Sequence, residues 1–140
     1  MEHKPLILVA DDNEDMRLLV SMILNKSGFQ CEEAASGREA LEKMQAGIMP
    51  DLILSDIMMP EMDGYTFFQH VQAQPGWRKI PFIFFTMKDS LDDVQKGREL
   101  GVDDYLTKPI LPDALIAAVR GKLKRFKQLA EAKEQPPEQP

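Results

Sequence analysis

The sequence predicts an α/β domain in which five parallel strands form one sheet and five helices cover both of its faces. Three observations lead there. Apolar runs of strand length alternate with segments whose apolar residues recur at helical spacing. Several runs are continuously apolar, as in strands covered on both sides. Finally, each of four runs stops at a residue that can carry charge or a hydrogen bond. Right-handed crossovers between parallel strands then place helices on both faces of the sheet.

The elements follow in chain order. Residues 6–10, LILVA, form the first strand and stop at Asp11-Asp12. Met16, Leu19, Val20, Ile23 and Leu24 recur at helical spacing, and Gly28 fits the end of that helix. Residues 29–32 alternate in polarity, as a half-exposed edge strand does. Ser36 and Glu39 have capping-box spacing and open a short helix carrying Ala40, Leu41 and Met44. Residues 52–55 form the third strand, and residues 64–72 a helix with Tyr65, Phe68 and Val71 on one side. Gln74-Pro75-Gly76 is a turn. Residues 80–85 form the fourth strand, ending at Thr86. Ser90 and Asp93 repeat the capping spacing, and Gly101 stops the helix they open. Residues 105–107 form a short fifth strand before Lys108-Pro109, and a fifth helix starts near Pro112 and runs past Lys122. The Pro- and Gln-rich residues 135–140 have the composition of a linker or disordered tail.

Composition narrows the function. The 140 residues are 44% hydrophobic, enough for one domain with a real core. Seventeen Lys and Arg against 23 Asp and Glu give a net charge of -6, which argues against nucleic acid as the main partner. Arg120, Lys122, Lys124, Arg125 and Lys127 are expected to be a solvated helix face. The single cysteine, Cys31, is read as an inert strand residue in a reducing compartment. No apolar segment is long enough for a signal peptide or a membrane span, so a cytoplasmic setting is expected. Neither His3 nor His70 is given a role, and Met58, Met59 and Met62 are read as loop and core packing.

The strand ends carry the chemistry. Strand one stops at Asp11 and Asp12, strand three at Asp56, strand four at Thr86 and strand five at Lys108. Ligands of an open parallel sheet bind at the C-terminal edge of its strands. Each residue alone has an ordinary explanation as loop or cap, but their order places three acids, a hydroxyl and an ammonium on one rim. Two carboxylates about 5 Å apart repel by about 3 kcal/mol at an effective dielectric near 20. One lysine does not neutralise three acids. A divalent ion does, and hard oxygen ligands without His or Cys select Mg²⁺ or Mn²⁺. Mg²⁺ commonly completes its shell with a phosphate, which points to phosphoryl chemistry.

These motifs resemble the receiver domain of two-component response regulators. VADDNEDMR is similar to the family's acidic pair, DLILSDIMMPEMDG to its phosphorylation-site block and GVDDYLTKPI to its lysine block, over roughly residues 5–122. The resemblance implies a flavodoxin-like sheet of order 2-1-3-4-5, with residues 1–125 as the receiver and residues 126–140 as a helix extension and tail. It implies that Asp56 accepts a phosphoryl group from a sensor histidine kinase, a phosphotransfer protein or a small acyl phosphate. Asp12, Asp56 and the backbone carbonyl of Met58 would hold Mg²⁺ directly, and Asp11 mostly through water. Lys108 would pair with Asp56 and the phosphoryl oxygens, from a cis Lys108-Pro109 peptide. Thr86 would bind the phosphoryl group, and Tyr105 would turn inward as Thr86 moves. The surface of the fourth helix, fifth strand and fifth helix would then change for a target or output domain.

Three features depart from the family pattern or extend it. Met87 stands where a small residue is usual after Thr86, and Ile110 where Phe is frequent after the Lys-Pro pair. Ile116, Val119, Leu123, Phe126 and Ala130 are spaced 3, 4, 3, 4 and extend the fifth helix as a heptad-like stripe. That stripe suits a signalling helix or a homodimer, as does the surface around the fifth strand. Two rivals remain. An aspartate-nucleophile phosphatase typically has a second acid two residues after the nucleophile, where this chain has Met58. An interaction module of the same shape would ignore phosphate.

Overall fold

The structure, a computed structural model, describes residues 3–134. The elements are β1 (Leu6–Ala10), α1 (Glu14–Lys26), β2 (Gln30–Ala34), α2 (Gly37–Gln45) and β3 (Leu52–Ser55), then α3 (Gly64–Ala73), β4 (Phe82–Thr86), α4 (Leu91–Leu100), β5 (Asp104–Thr107) and α5 (Pro112–Glu134). The five strands pair in parallel in the order β2-β1-β3-β4-β5. Fold class and strand order are those expected from the sequence.

Strand boundaries differ from the expectation in β2, in β4 and, by one residue, in β5, which starts at Asp104. The fourth strand begins at Phe82, not residue 80. Pro81 has no N–H to give a ladder, and the Ile80 N–H is taken by the Trp77 carbonyl at 3.0 Å. The second strand is shifted from 29–32 to Gln30–Ala34. Phe29 instead closes the end of α1, its N–H donating to Leu24 O, and its side chain is buried. The predicted tail at 135–140 lies outside the described residues.

The sheet divides the core in two. On one face Leu8, Ile53, Phe82 and Phe84 pack beneath α2 and α3, with Phe67, Phe68 and Val71 among the covering residues. On the other, Ile7, Val9, Leu52, Leu54 and Ile83 meet Val20 and Leu24 of α1 and Leu115 and Val119 of α5. Central strands β3 and β4 are buried along their whole length. That is why their sequences run apolar without alternation, and why their first polar side chains stand at the sheet's edge.

Capping sets where the helices begin. The side chains of Asn13, Ser36, Asp63 and Ser90 accept backbone N–H groups of Met16, Glu39, Thr66 and Asp93. The capping box at Ser36 closes one residue early, because Glu39 Oε2 accepts the N–H of Ala35 at 3.1 Å. α5 continues from the core residues Leu115 and Val119 to Glu134, with Leu123 and Phe126 half-buried and Ala130 exposed.

Candidate functional site

The site starts at the end of β1. Asp11 is buried at 4% exposure while its neighbour Asp12 is exposed. The Asp11 N–H donates to Ala34 O, extending the ladder one residue beyond the strand, and Asp11 Oδ1 accepts the Asn13 N–H at 2.9 Å. The turn into α1 is thereby tight, and it leaves the second acid pointing away from the core.

Asp56 stands one residue beyond β3, its N–H bonded to Ala10 O at 2.8 Å. Its Oδ1 accepts the Ile57 N–H at 2.6 Å and the Met58 N–H at 3.4 Å. The loop that follows is held close. Met62 N donates to Pro60 O at 2.7 Å around Glu61, whose φ of 67° is unusual for a side chain with a Cβ. Gly64 then brings the start of α3 onto this loop. A Cβ there would lie 2.3 Å from the Asp56 carbonyl oxygen, so no side chain fits.

The other two strand ends complete the rim. Thr86 is buried, and its Oγ1 accepts the Lys88 N–H at 3.3 Å. Lys108 follows β5 with a cis peptide to Pro109. Its Nζ donates to Asp56 Oδ2 at 2.9 Å, as expected, and also to Asp11 Oδ2 at 2.5 Å. The sequence pairs Lys108 with Asp56 and the phosphoryl oxygens and gives no sign of the bond to Asp11. Tyr105 lies inward, with its hydroxyl donating to Lys88 O at 2.6 Å and its ring against Phe84.

Asp11, Asp12, Asp56, Met58, Thr86, Met87 and Lys108 line one open cavity of about 400 Å³. A ligand oxygen from each of the three acids lies within 4.8 Å of the others. At that separation each like-charged pair repels by about 3 kcal/mol at an effective dielectric near 20. Burial pushes the Asp11 carboxyl above the usual range, against the pull of the Lys108 hydrogen bond. Burial works to lower Lys108 as well, but its bonds to Asp11 and Asp56 outweigh it and raise the ammonium above its ordinary value. The lysine therefore stays charged, and three acids still outnumber it. Carboxylates without His or Cys suit a hard divalent cation, so the donor set fits Mg²⁺.

All the strand-end residues singled out in the sequence thus meet at one place. Met87 is 75% exposed at the mouth of the cavity, and Met58 is exposed beside it. Ile110 packs against the core layer under α1 and α5. His70 is exposed. Of the basic residues of α5, Arg120 donates to Ser27 O at 3.1 Å and lies over the Phe29 ring. The sequence does not single out Arg17, whose guanidinium bonds the Asp11 carbonyl, or Gly64 and Gly97, where an added Cβ would meet Asp56 and Tyr105. Sequence position alone carries little signal for such contacts.

Known proteins share the sequence pattern and the fold of this chain. The family model of the response regulator receiver domain matches residues 7–120. The phosphate regulon transcriptional regulatory protein PhoB of Escherichia coli is 35% identical over 124 residues, covering 89% of this chain and 54% of its own. Protein PilG of Pseudomonas aeruginosa is 35% identical over 120 residues, covering 86% of this chain and 88% of its own. The structure of chemotaxis response regulator CheY4 of Vibrio cholerae superimposes with a TM-score of 0.79 at 33% identity, covering 86% of this chain and 99% of that one. This chain spans about half the length of PhoB and of several other curated relatives it matches.

Proposed function

The chain belongs to the response-regulator receiver family of two-component signalling, and from that premise we propose that it is a Mg²⁺-dependent switch phosphorylated on Asp56. The observation that carries this reading is the convergence of Asp11, Asp12 and Asp56 within 4.8 Å, with Lys108 bonded to two of them, at an open cavity.

Asp12 and Asp56, with the Met58 carbonyl, would hold Mg²⁺ (or Mn²⁺) directly, and Asp11 mostly through water. When bound, the ion neutralises charge on the phosphoryl oxygens. The rest belongs to the chain's own side chains. An Asp56 carboxylate oxygen attacks phosphorus in line as the bond to the donor's histidine nitrogen, or to the leaving oxygen of an acyl phosphate, breaks. Lys108 is already on Asp56 Oδ2, placed to follow negative charge onto the phosphoryl oxygens. Thr86 supplies the hydroxyl that then binds the phosphoryl group. The Lys88 segment, tied to both the Thr86 and the Tyr105 hydroxyls, links that movement to β5.

A sensor histidine kinase or phosphotransfer protein is the donor in this reading, and a target or output domain reads the surface of α4, β5 and α5. Leu18, Leu19 and Met22 leave an exposed apolar face on α1, the helix whose first turns border the cavity, which suits a docking protein. Among the described residues no helix is long and apolar enough to cross a membrane. With a single free cysteine, the chain suits a cytoplasmic signalling partner. It is an acceptor rather than an enzyme that turns over phosphate esters.

The test is intact-mass measurement after incubation with acetyl phosphate and Mg²⁺. The expected result is an acid-labile gain of about 80 Da, one phosphoryl group, absent when a chelator is present during the incubation and absent in Asp56→Asn. A chain that gains no mass, or gains it equally in Asp56→Asn, overturns the reading. Sustained hydrolysis of a phosphate ester would favour the phosphatase instead.

A further inference from the structure

Arg17 does not line the cavity, yet its guanidinium reaches the backbone of the acid loop. Nη1 donates to the Asp11 carbonyl at 2.8 Å, and Nε donates to Glu33 Oε1 on β2 at 3.1 Å. The Arg17 side chain is only 16% exposed. Glu33 is itself anchored, since its carbonyl accepts the Lys43 ammonium from α2.

The Asp11 carbonyl belongs to the peptide that joins Asp11 to Asp12. A peptide is planar, so fixing its oxygen fixes the direction in which the next residue leaves. The other polar groups of Asp11 are already engaged, by Ala34, Asn13 and Lys108. Among the described residues no hydrogen bond holds the Asp12 side chain, so its aim depends on its backbone. We propose that Arg17 is a positioning residue for the cation site, setting the Asp11-Asp12 peptide from an anchor on β2. This rests on the reading of the cavity as a Mg²⁺ and phosphoryl site.

Charge and positioning predict opposite signs. A guanidinium near three acids repels an incoming cation, so deleting its charge alone would tighten Mg²⁺ binding. Loss of positioning weakens it. Lysine keeps the charge but cannot reproduce a planar fork that bonds two acceptors at once.

The experiment is calorimetric titration of Mg²⁺ into wild type, Arg17→Lys and Arg17→Met, with thermal melts to establish folding. Hydrogen exchange at the Asn13 amide is followed in metal-free protein. The expected result is roughly tenfold weaker Mg²⁺ binding in Arg17→Lys, the scale typical of losing a group that orients a metal ligand. Faster Asn13 exchange is expected with it. Mg²⁺ binding in Arg17→Lys that is unchanged or tighter overturns the proposal, whatever its melting temperature. If wild type itself takes up no Mg²⁺, the reading of the cavity fails on that measurement alone. Exchange at Asn13 then decides the role of Arg17, and unchanged exchange in Arg17→Lys overturns that too.

Discussion

The ring of Tyr105 on β5 occupies the space left by the missing side chain of Gly97 on α4. A Cβ at Gly97 would stand 2.7 Å from Cδ2 and 2.9 Å from Cε2 of that ring. The inward position of Tyr105, with its hydroxyl on Lys88 O, thus requires a bare Cα on the helix across from it.

Gly97→Ala is therefore expected to drive the Tyr105 ring outward. The methyl group gains helix propensity of about 1 kcal/mol relative to glycine, while overpacking costs about 1–3 kcal/mol. Net stability should change little or fall, and the hydroxyl bond to Lys88 should be lost. Tyrosine ring resonances by NMR, or a crystal structure, would show it. A ring that stays inward in a fully stable variant contradicts the steric argument.

Gly64 presents a harder case, because its obstacle is backbone. An added Cβ meets the Asp56 carbonyl oxygen at 2.3 Å and the Ile57 Cα at 2.8 Å. Neither atom can rotate away, and Gly64 N is held on Ile57 O at 2.7 Å. Gly64→Ala should destabilise the fold by about 3 kcal/mol, at the upper end of overpacking costs. It should also displace Asp56, so phosphoryl uptake falls even where the protein remains folded. Denaturant unfolding alongside acetyl phosphate labelling separates the two effects. A stable variant that labels at the wild-type rate would refute the close approach.

How far the sequence reveals such features depends on the physics of each. β3 and β4 run apolar up to their last residues, Ser55 and Thr86, because both faces are covered, so the polar groups at their ends, Asp56 and Thr86 among them, stand out in the sequence. Asp11 and Asp12 are legible for the same reason, since β1 is buried from Ile7 to Ala10. Lys108 follows the half-exposed β5 and stands out instead by its place beside Pro109. Pro81 was legible in principle: it lacks the donor a strand needs, and β4 begins only after it. Arg17 was not. Its place in the first helix looks like any solvated arginine, and its contacts lie on Glu33, 16 residues away, and on a backbone carbonyl. The second partner of Lys108 was also hidden, since sequence order says which groups share a rim and not which oxygen an ammonium reaches. Gly64 and Gly97 matter through atoms they lack, and no pattern of side chains records that.

Lys108 offers a prediction with two signs. Its side chain is 5% exposed between Asp11 and Asp56. Lys108→Met removes the one ammonium bonded to this pair among the described residues, and breaking a buried ion pair commonly costs about 3–5 kcal/mol. Protonation of Asp11, already favoured by burial, relieves part of that. Metal-free Lys108→Met should therefore melt lower than wild type. Mg²⁺ no longer competes with the ammonium, so it should bind more tightly and restore more stability to the variant than to wild type, by the logarithm of concentration over Kd. Phosphoryl uptake should be slower. Thermal melts with and without saturating Mg²⁺ check this, and an equal Mg²⁺ effect on both proteins would count against the ammonium as the competitor.

Cys31 gives the pH prediction. It lies half-buried on edge strand β2, with Sγ 3.9 Å from the Ser21 carbonyl. Burial, opposed by that weak hydrogen bond, pushes the thiol from 9.0 up to about 11. A raised thiol pKa keeps the proton on, so between the two values the folded state binds more protons than the unfolded chain. The contribution to stability is then full below 9.0 and declines as pH rises towards about 11. The same shift governs reactivity, because only the thiolate is nucleophilic. Two pKa units make the thiolate about 100-fold scarcer at pH 8 than in an unfolded chain. Alkylation by iodoacetamide should be slower in native protein by at least that factor, rising about tenfold per pH unit. Mass spectrometry of native and urea-unfolded samples measures both rates, and equal labelling at pH 8 would show that burial does not hold the proton.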